Sequence, residues 1–165
     1  MPMLLSRTAA LLIALCCCAS AHAETAVLSP TGYGAILFGT PLADAEAALR
    51  QTAVPKQREY ACSFVTFRKY PGIRFMVEKD IVTRADAASS IRNSAGVKLG
   101  MPLERVKAAH PELQVKPHKY DDEGHYLILP AEDGRAALLF EESKGKVVTV
   151  RAGKEPSVEY VEECL

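Results

Sequence analysis

The 165-residue chain has no excess of charge, with 20 Lys and Arg against 20 Asp and Glu. No basic run stands ready to neutralise phosphates, so the composition argues against a nucleic-acid partner. Long apolar runs are missing as well. The best one, from Ala9 to Ala19, has about a dozen residues where a bilayer span needs about 20. Nor does the chain hold a G-x-S-x-G elbow, an H-E-x-x-H pair, a calcium-loop pattern, a phosphate loop or a dinucleotide fingerprint. No catalytic residue and no cofactor is therefore expected from motifs.

What the N-terminus does carry is the order of a secretory signal. MPMLLSRTAALLIALCCCASAHA places one positive charge at Arg7, then the apolar run, then Ala21-His22-Ala23 as an A-x-A cleavage site. The expectation is cleavage after Ala23, leaving Glu24–Leu165 as an exported protein, periplasmic or secreted, with no membrane span of its own. Cys16, Cys17 and Cys18 raise lipid anchoring as a rival. The slot before each holds Leu15, Cys16 or Cys17, whereas a lipoprotein signal wants a small Gly, Ala or Ser there. Cysteine also serves as a small hydrophobe in such a segment.

Of five cysteines, Cys62 and Cys164 fall outside the signal. In an oxidising compartment this pair invites a disulfide that would pin the C-terminal tail; a metal pair or free thiols are the alternatives.

The most informative feature is an echo. AILFGTPL at 35–42 returns as GVKLGMPL at 96–103, aligning Gly39 with Gly100, Pro41 with Pro102 and Leu42 with Leu103. Each glycine permits a tight turn, and each proline suits the first position of a helix. Thr40 is expected to cap the first helix, and Glu104 favours the start of the second. Leu42, Ala45 and Leu49 make one helical stripe; Leu103, Val106 and His110 make the other, which Pro111 should end at His110. Helices this short depend on packing against something larger.

Strand-like runs supply it. CSFVTF (62–67), GIRFMV (72–77) and IVTRA (81–85) follow the first helix. LQVKP (113–117), HYLIL (125–129), RAALLF (135–140) and VVTVRA (147–152) follow the second, with turn residues between them. The sequence thus predicts an α+β fold: two tandem helix-plus-antiparallel-hairpin repeats, about 34–87 and 95–153, forming one sheet with the helices packed on one face. AVLSPTGYG and ADAASSIRNSAG read as linkers into the copies, and 154–165 as a C-terminal tail.

The pattern G-x-x-x-G-M-x-L-x-x-V from Gly96 to Val106, with PHKYDDEGHYL, ALLFEESKGKVVTVRAG and VEYVEEC, resembles uncharacterised small exported bacterial proteins. In architecture, tandem helix-then-hairpin repeats are similar to the beta-lactamase-inhibitor proteins and to the small outer-membrane assembly lipoproteins. The first resemblance implies binding of an enzyme across a concave sheet, and the second a role in holding a membrane-protein insertion complex together. This chain departs from the first in lacking a disulfide within each repeat, and from the second in lacking a convincing acylation site.

Candidate chemistry concentrates in KPHKYDDEGHY (116–126). His118, Asp121, Asp122, Glu123 and His125 put two imidazoles and three carboxylates close together, and a hairpin that brought the imidazoles face to face could offer His118, Asp121 and His125 to zinc. The plainer reading is an acidic turn. Ser143-Lys144-Gly145-Lys146 matches S-x-x-K literally, but between two strands it reads as a hairpin tip. Arg84 and Arg151 end look-alike strands and could clamp an anion from one face; alternatively they pair with acids such as Asp86 or Glu159. Tyr60, Tyr70, Tyr120, Tyr126 and Tyr160 are contact residues if a partner surface exists.

Together these features point to an exported, non-enzymatic binding module that presents a sheet surface to a protein or envelope component, in the manner of an inhibitor. Arg84, Arg151, His118, Tyr120, His125 and Tyr126 are its candidate binding residues. A metal-dependent or hydrolytic enzyme built on the 118–125 segment and an envelope assembly factor are the rivals.

Overall fold

The computed structural model describes residues 26–87 and 89–164. The expected signal, residues 1–23 with Cys16, Cys17 and Cys18, lies outside them. The fold is mixed: two short helices, a small three-stranded sheet and one large antiparallel sheet.

The small sheet comes first, as β1 (Leu28–Ser29), β2 (Gly32–Tyr33) and β3 (Ile36–Leu37). This corrects the reading of AVLSPTGYG as a linker: Ser29 to Gly32 turns the chain tightly, and the flanking apolar residues then pair. Two-residue strands carry too little periodicity to be seen in a sequence.

β4 (Thr40–Pro41) leads directly into α1 (Leu42–Leu49). The expected cap is absent. The Thr40 hydroxyl donates to Leu37 O (2.9 Å), and Pro41 is the capping residue itself rather than the first helical one, with ψ 143°. The orphan N–H of Leu42 goes instead to Asp80 O at 2.8 Å, in the turn of a neighbouring hairpin. A partner distant in sequence has replaced the local hydroxyl. The second helix, α2 (Leu103–Ala109), begins likewise: Pro102 is the capping residue with ψ 139°, and Leu103 N–H donates to Gly145 O at 3.0 Å. It stops at His110, one residue before Pro111, as the sequence predicts.

Gly39 and Gly100 take φ of 87° and 80°, a region that penalises a side chain, and each donates its N–H at 2.7 Å, to Val82 O and Val147 O respectively. Both acceptors lie in strands of the large sheet. Those strands are β5 (Ser63–Val65), β6 (Ile73–Glu78), β7 (Ile81–Ala87), β8 (Gln114–Pro117), β9 (His125–Pro130), β10 (Ala136–Ser143) and β11 (Lys146–Lys154). They run in the order β5-β6-β7-β11-β10-β9-β8, with β4 also on β7. The two groups of strands meet at β7 and β11, where Ala85 faces Ala152 and Arg151 faces Asp86. The sheet joins there through small residues. A Cβ on Gly153 would come within 2.5 Å of Thr83 O, so only glycine allows this approach.

Strands β5 to β7 and β9 to β11 bury one face in the main core, whereas the edge strand β8 is exposed throughout. Phe75, Val82, Ala85, Leu127, Leu138, Phe140 and Val150 pack there with Leu42, Ala45 and Leu49 of α1 and Val106 of α2. Burying each larger side chain contributes about 1.5–3 kcal/mol, which is what holds helices of two turns in place. The opposite face carries a smaller cluster of Tyr126, Ile128, Ala137 and Leu139, covered by Val158 and Val161 from the tail. That tail turns through a short 3-10 segment, Ser157–Glu159, and ends in the disulfide Cys62–Cys164, whose Cα atoms are 5.3 Å apart. The S-x-x-K match is a two-residue hairpin tip, with Ser143 paired to Lys146.

Candidate binding groove

The tail covers the second face of the sheet only in part. Beside it lies a groove of about 600 Å³, lined by Thr66, Ile73, Arg74, Arg84, Asp86, Tyr120, Glu141, Thr149, Arg151, Val161 and Glu163, among others. Strand periodicity puts these side chains together. Thr149 and Arg151 are two apart on β11; Arg84 and Asp86 are two apart on β7; Arg74 on β6 pairs with Asp86 in register. Bulges at Met76/Val77 and Glu141/Glu142 correct the alternation so that the polar residues stay on this face while their neighbours enter the core.

Arg84 is the pivot. Only 2% exposed, it donates from Nε to Asp86 Oδ1 (2.5 Å) and from Nη2 to Asp86 Oδ2 (2.9 Å). Its Nη1 reaches across to the tail carbonyls of Tyr160 (2.8 Å) and Ser157 (3.2 Å). Arg151, 7% exposed, donates from Nε to Val158 O (2.8 Å) and from Nη1 to Glu141 Oε1 (2.6 Å). Its Nη2 has no hydrogen-bond partner among the described residues, and neither has the Thr149 hydroxyl. Burial, and after it the charge of Arg84, hold the Arg151 guanidinium below the ordinary arginine value, with Glu141 and Asp86 offsetting part of this. At the rim, Arg74 binds Asp86 (3.2 Å) and Glu163, and lies 4.2 Å from the Phe64 ring centroid.

The two arginines singled out in the sequence are thus brought to one face and paired with acids. Asp86 is the expected partner of Arg84. Glu159 is not the partner of Arg151: it binds Lys116 Nζ at 2.8 Å, while Glu141, on the adjacent strand, faces Arg151.

The acidic segment divides between faces. His118 stacks on Tyr126, with centroids 4.4 Å apart, and its Nε2 is 4.0 Å from Glu141 Oε2 beside the groove. His125, next to Tyr126 on β9, points the other way and meets buried Glu142 at 2.7 Å. Successive strand residues alternate, so the imidazoles do not converge. Asp121 turns aside to accept from the Ser143 hydroxyl (2.6 Å) and from Glu123 N–H. The three residues of the alternative zinc set, His118, Asp121 and His125, thus have separate partners, and among the described residues no group of three His, Cys, Asp or Glu is placed to hold a metal.

Of the tyrosines, Tyr70 is a core residue, packed edge-on against Tyr33 and accepting from Ala35 N–H at 3.0 Å. Tyr126 is likewise buried, whereas Tyr60, Tyr120 and Tyr160 are exposed. Tyr120 stands at the groove with its hydroxyl on Glu162. Arg74, Glu141, Thr149 and Glu163 were missed from the sequence. The signal for Arg74 and Thr149 was a polar residue inside an otherwise apolar strand, GIRFMV and VVTVRA.

No family model matches the chain, and no curated protein matches it. Among solved structures it is similar to an extracellular protein containing an SCP domain from Bacillus anthracis str. Ames, at 12% identity and a TM-score of 0.47, over 72% of this chain and 44% of that one. The chain therefore spans less than half the length of that protein. It is also similar to a DUF4309 family protein from Bacillus subtilis subsp. subtilis str. 168, at 15% identity and a TM-score of 0.46, over 74% of this chain and 83% of the other. Among the described residues no helix is long and apolar enough to cross a membrane.

Proposed function

We propose that the chain is an exported, non-enzymatic binding module that receives an envelope component in the groove between the second sheet face and the tail. The observation that carries this is the groove itself: its volume lies within the range usual for small-ligand sites, about 300–1,000 Å³, and buried guanidinium groups line it. Export is supported by the signal-like N-terminus and by the Cys62–Cys164 bridge, which an oxidising compartment favours. Binding is favoured over hydrolysis because the polar groups of the 118–125 segment are tied to one another or to Ser143 and Glu142, and do not converge on a shared centre.

The scaffold is read as two copies of one unit. The support is local. Pro41 pairs with Ile81 and Pro102 with Lys146, each the first residue of the strand at the sheet centre, and the glycine and helix-start hydrogen bonds described above correspond one to one. In this reading the correspondence of Ile81 with Lys146 and of Val82 with Val147 makes Arg84 the counterpart of Thr149 and Asp86 that of Arg151.

Thr66, exposed at the groove, allows a test. An envelope extract is expected to raise the melting temperature of the wild-type protein and to leave Thr66→Trp, which places a large ring at the entrance, unmoved. Equal stabilisation of both would place the ligand elsewhere and overturn the reading.

A further inference from the structure

His118 and Glu141 both line the groove, and each has one polar atom to spare there. His118 Nδ1 accepts from Tyr120 N–H at 3.1 Å, which leaves the ring proton on Nε2. Glu141 Oε1 is taken by Arg151 Nη1, which leaves Oε2. The two spare atoms stand 4.0 Å apart, too far for a direct bond. Among the described residues the buried polar atoms without a partner are Arg58 Nε, Thr149 Oγ1 and Arg151 Nη2. His118 Nε2 and Glu141 Oε2 are not of that kind, so both are open to solvent. Both side chains are also held in place, the imidazole by stacking on Tyr126 and the carboxylate by Arg151. Groups fixed in advance lose little freedom on meeting a ligand.

One donor and one acceptor at that separation select a chemistry. A single atom placed between them at hydrogen-bond distance must accept from Nε2–H and donate to Oε2. A carboxylate cannot donate and an ammonium cannot accept; a hydroxyl does both. The charges agree. Arg74, Arg84 and Arg151 line the groove with Asp86, Glu141 and Glu163, and every one of these arginines is paired with an acid. An ionic ligand would have to break a pair or lie beside a like charge, and a neutral one need not. The rim is polar as well, with Thr66, Arg74 and Glu163. Tyr120 stays 67% exposed with Lys119 Nζ 5.2 Å from its ring centroid, and its ring lines the same groove. Polarised C–H groups pack well on such a ring.

We infer that the groove binds a neutral polyhydroxylated ligand, a saccharide, with one hydroxyl accepting from His118 Nε2–H and donating to Glu141 Oε2. This rests on the reading of the groove as the ligand site. Tyr120 supplies the surface for the C–H face of a sugar ring, and Arg151 holds Glu141 towards the hydroxyl.

The test is an array of neutral, uronate, sulfated and phosphorylated oligosaccharides probed with the disulfide-bonded protein. Neutral glycans are expected to be retained, and charged counterparts of the same chain to bind at least about tenfold more weakly. His118→Phe keeps a ring to stack on Tyr126 and removes Nε2–H, which bonds nothing else among the described residues, and should weaken the retained glycan about tenfold. Glu141→Gln keeps an oxygen for Arg151 and puts a donor where the acceptor was, with the same expected loss; if it does not fold, His118→Phe keeps the inference falsifiable. Competition distinguishes the sources: a glycan at least about tenfold better than its terminal monosaccharide supports an envelope glycan chain, and equal competition a free sugar. Retention of no neutral glycan, equal retention of charged ones, or unchanged affinity in His118→Phe overturns the inference. So does displacement by concentrated acetamide but not by glycerol, which would assign the pair to an amide. The groove reading stands in each case while envelope extract stabilises the wild type and not Thr66→Trp. If the extract also fails to stabilise the protein, the groove reading falls with it.

Discussion

Replacing Cys62 and Cys164 together by serine separates the tail's covalent anchor from its polar ones. The bridge joins residues 102 apart. Closing a loop of that length removes about 4.7 kcal/mol of denatured-state entropy in the chain-entropy model. Little in the native state compensates for its loss. Beyond Tyr160 the tail is held by Glu162 on Lys119 and Glu163 on Arg74, both ion pairs whose side chains are between 40 and 51% exposed. Pairs of that kind contribute roughly 0–1 kcal/mol each. The stretch before them is different, because Arg84 and Arg151 hold the carbonyls of Ser157, Val158 and Tyr160 from beneath. Urea unfolding of Cys62→Ser/Cys164→Ser should therefore show a loss of about 3–5 kcal/mol and a melting point lower by roughly 10–15 °C. Amide exchange should accelerate over 161–164 and remain slow over 157–160. A loss below about 1 kcal/mol, or equal acceleration along the whole tail, would refute the argument that covalent and polar anchors act on different parts of it.

Three further outcomes follow from the same contacts. Arg84→Met leaves the tail carbonyls without their donor and Asp86 with Arg74 alone, and should cost about 3 kcal/mol in urea unfolding; a change under 1 kcal/mol would show that the guanidinium is not the pivot. Gly153→Ala forces β7 from β11 and should destabilise by about 1–3 kcal/mol, whereas alanine at Gly134, around which a Cβ finds open space, should cost only its backbone strain. The Ser143 hydroxyl, and after it the Glu123 N–H, hold the Asp121 carboxyl below its ordinary value. Its contribution to stability is thus complete above the unfolded value near 3.8 and lost as pH falls through the lower folded one. Carboxyl chemical shifts should show this titration moving upward in Ser143→Ala, and an unmoved titration would contradict the assignment.

Much of the frame was readable in the residues. The seven runs of the large sheet agree with β5 to β11 to within two or three residues at either end, because all but the exposed β8 bury one face and each ends in strong turn chemistry. The helix starts were located by Gly39-Thr40-Pro41 and Gly100-Met101-Pro102, but not the means of capping, since the acceptors Asp80 and Gly145 are distant in sequence. The disulfide followed from there being two cysteines outside the signal. That the tail would lie across a sheet face did not: VEYVEECL has no periodicity that names its partner. In the 118–125 segment the residue types were noticed and their directions were not, because a shift of one position on β9 exchanges Tyr126 for His125. Arg84 and Arg151 were found through look-alike strand ends. Thr149, two residues before Arg151, could have been found by the same step of two.

The central claim, that the second sheet face beside the tail is a ligand site, is tested most directly by mapping amide chemical shifts of the 15N-labelled protein on addition of envelope extract. The account predicts changes concentrated at 72–74, 84–87, 118–120 and 149–151. Changes confined to the exposed edge strand 114–117, or to the helices on the opposite face, would contradict it.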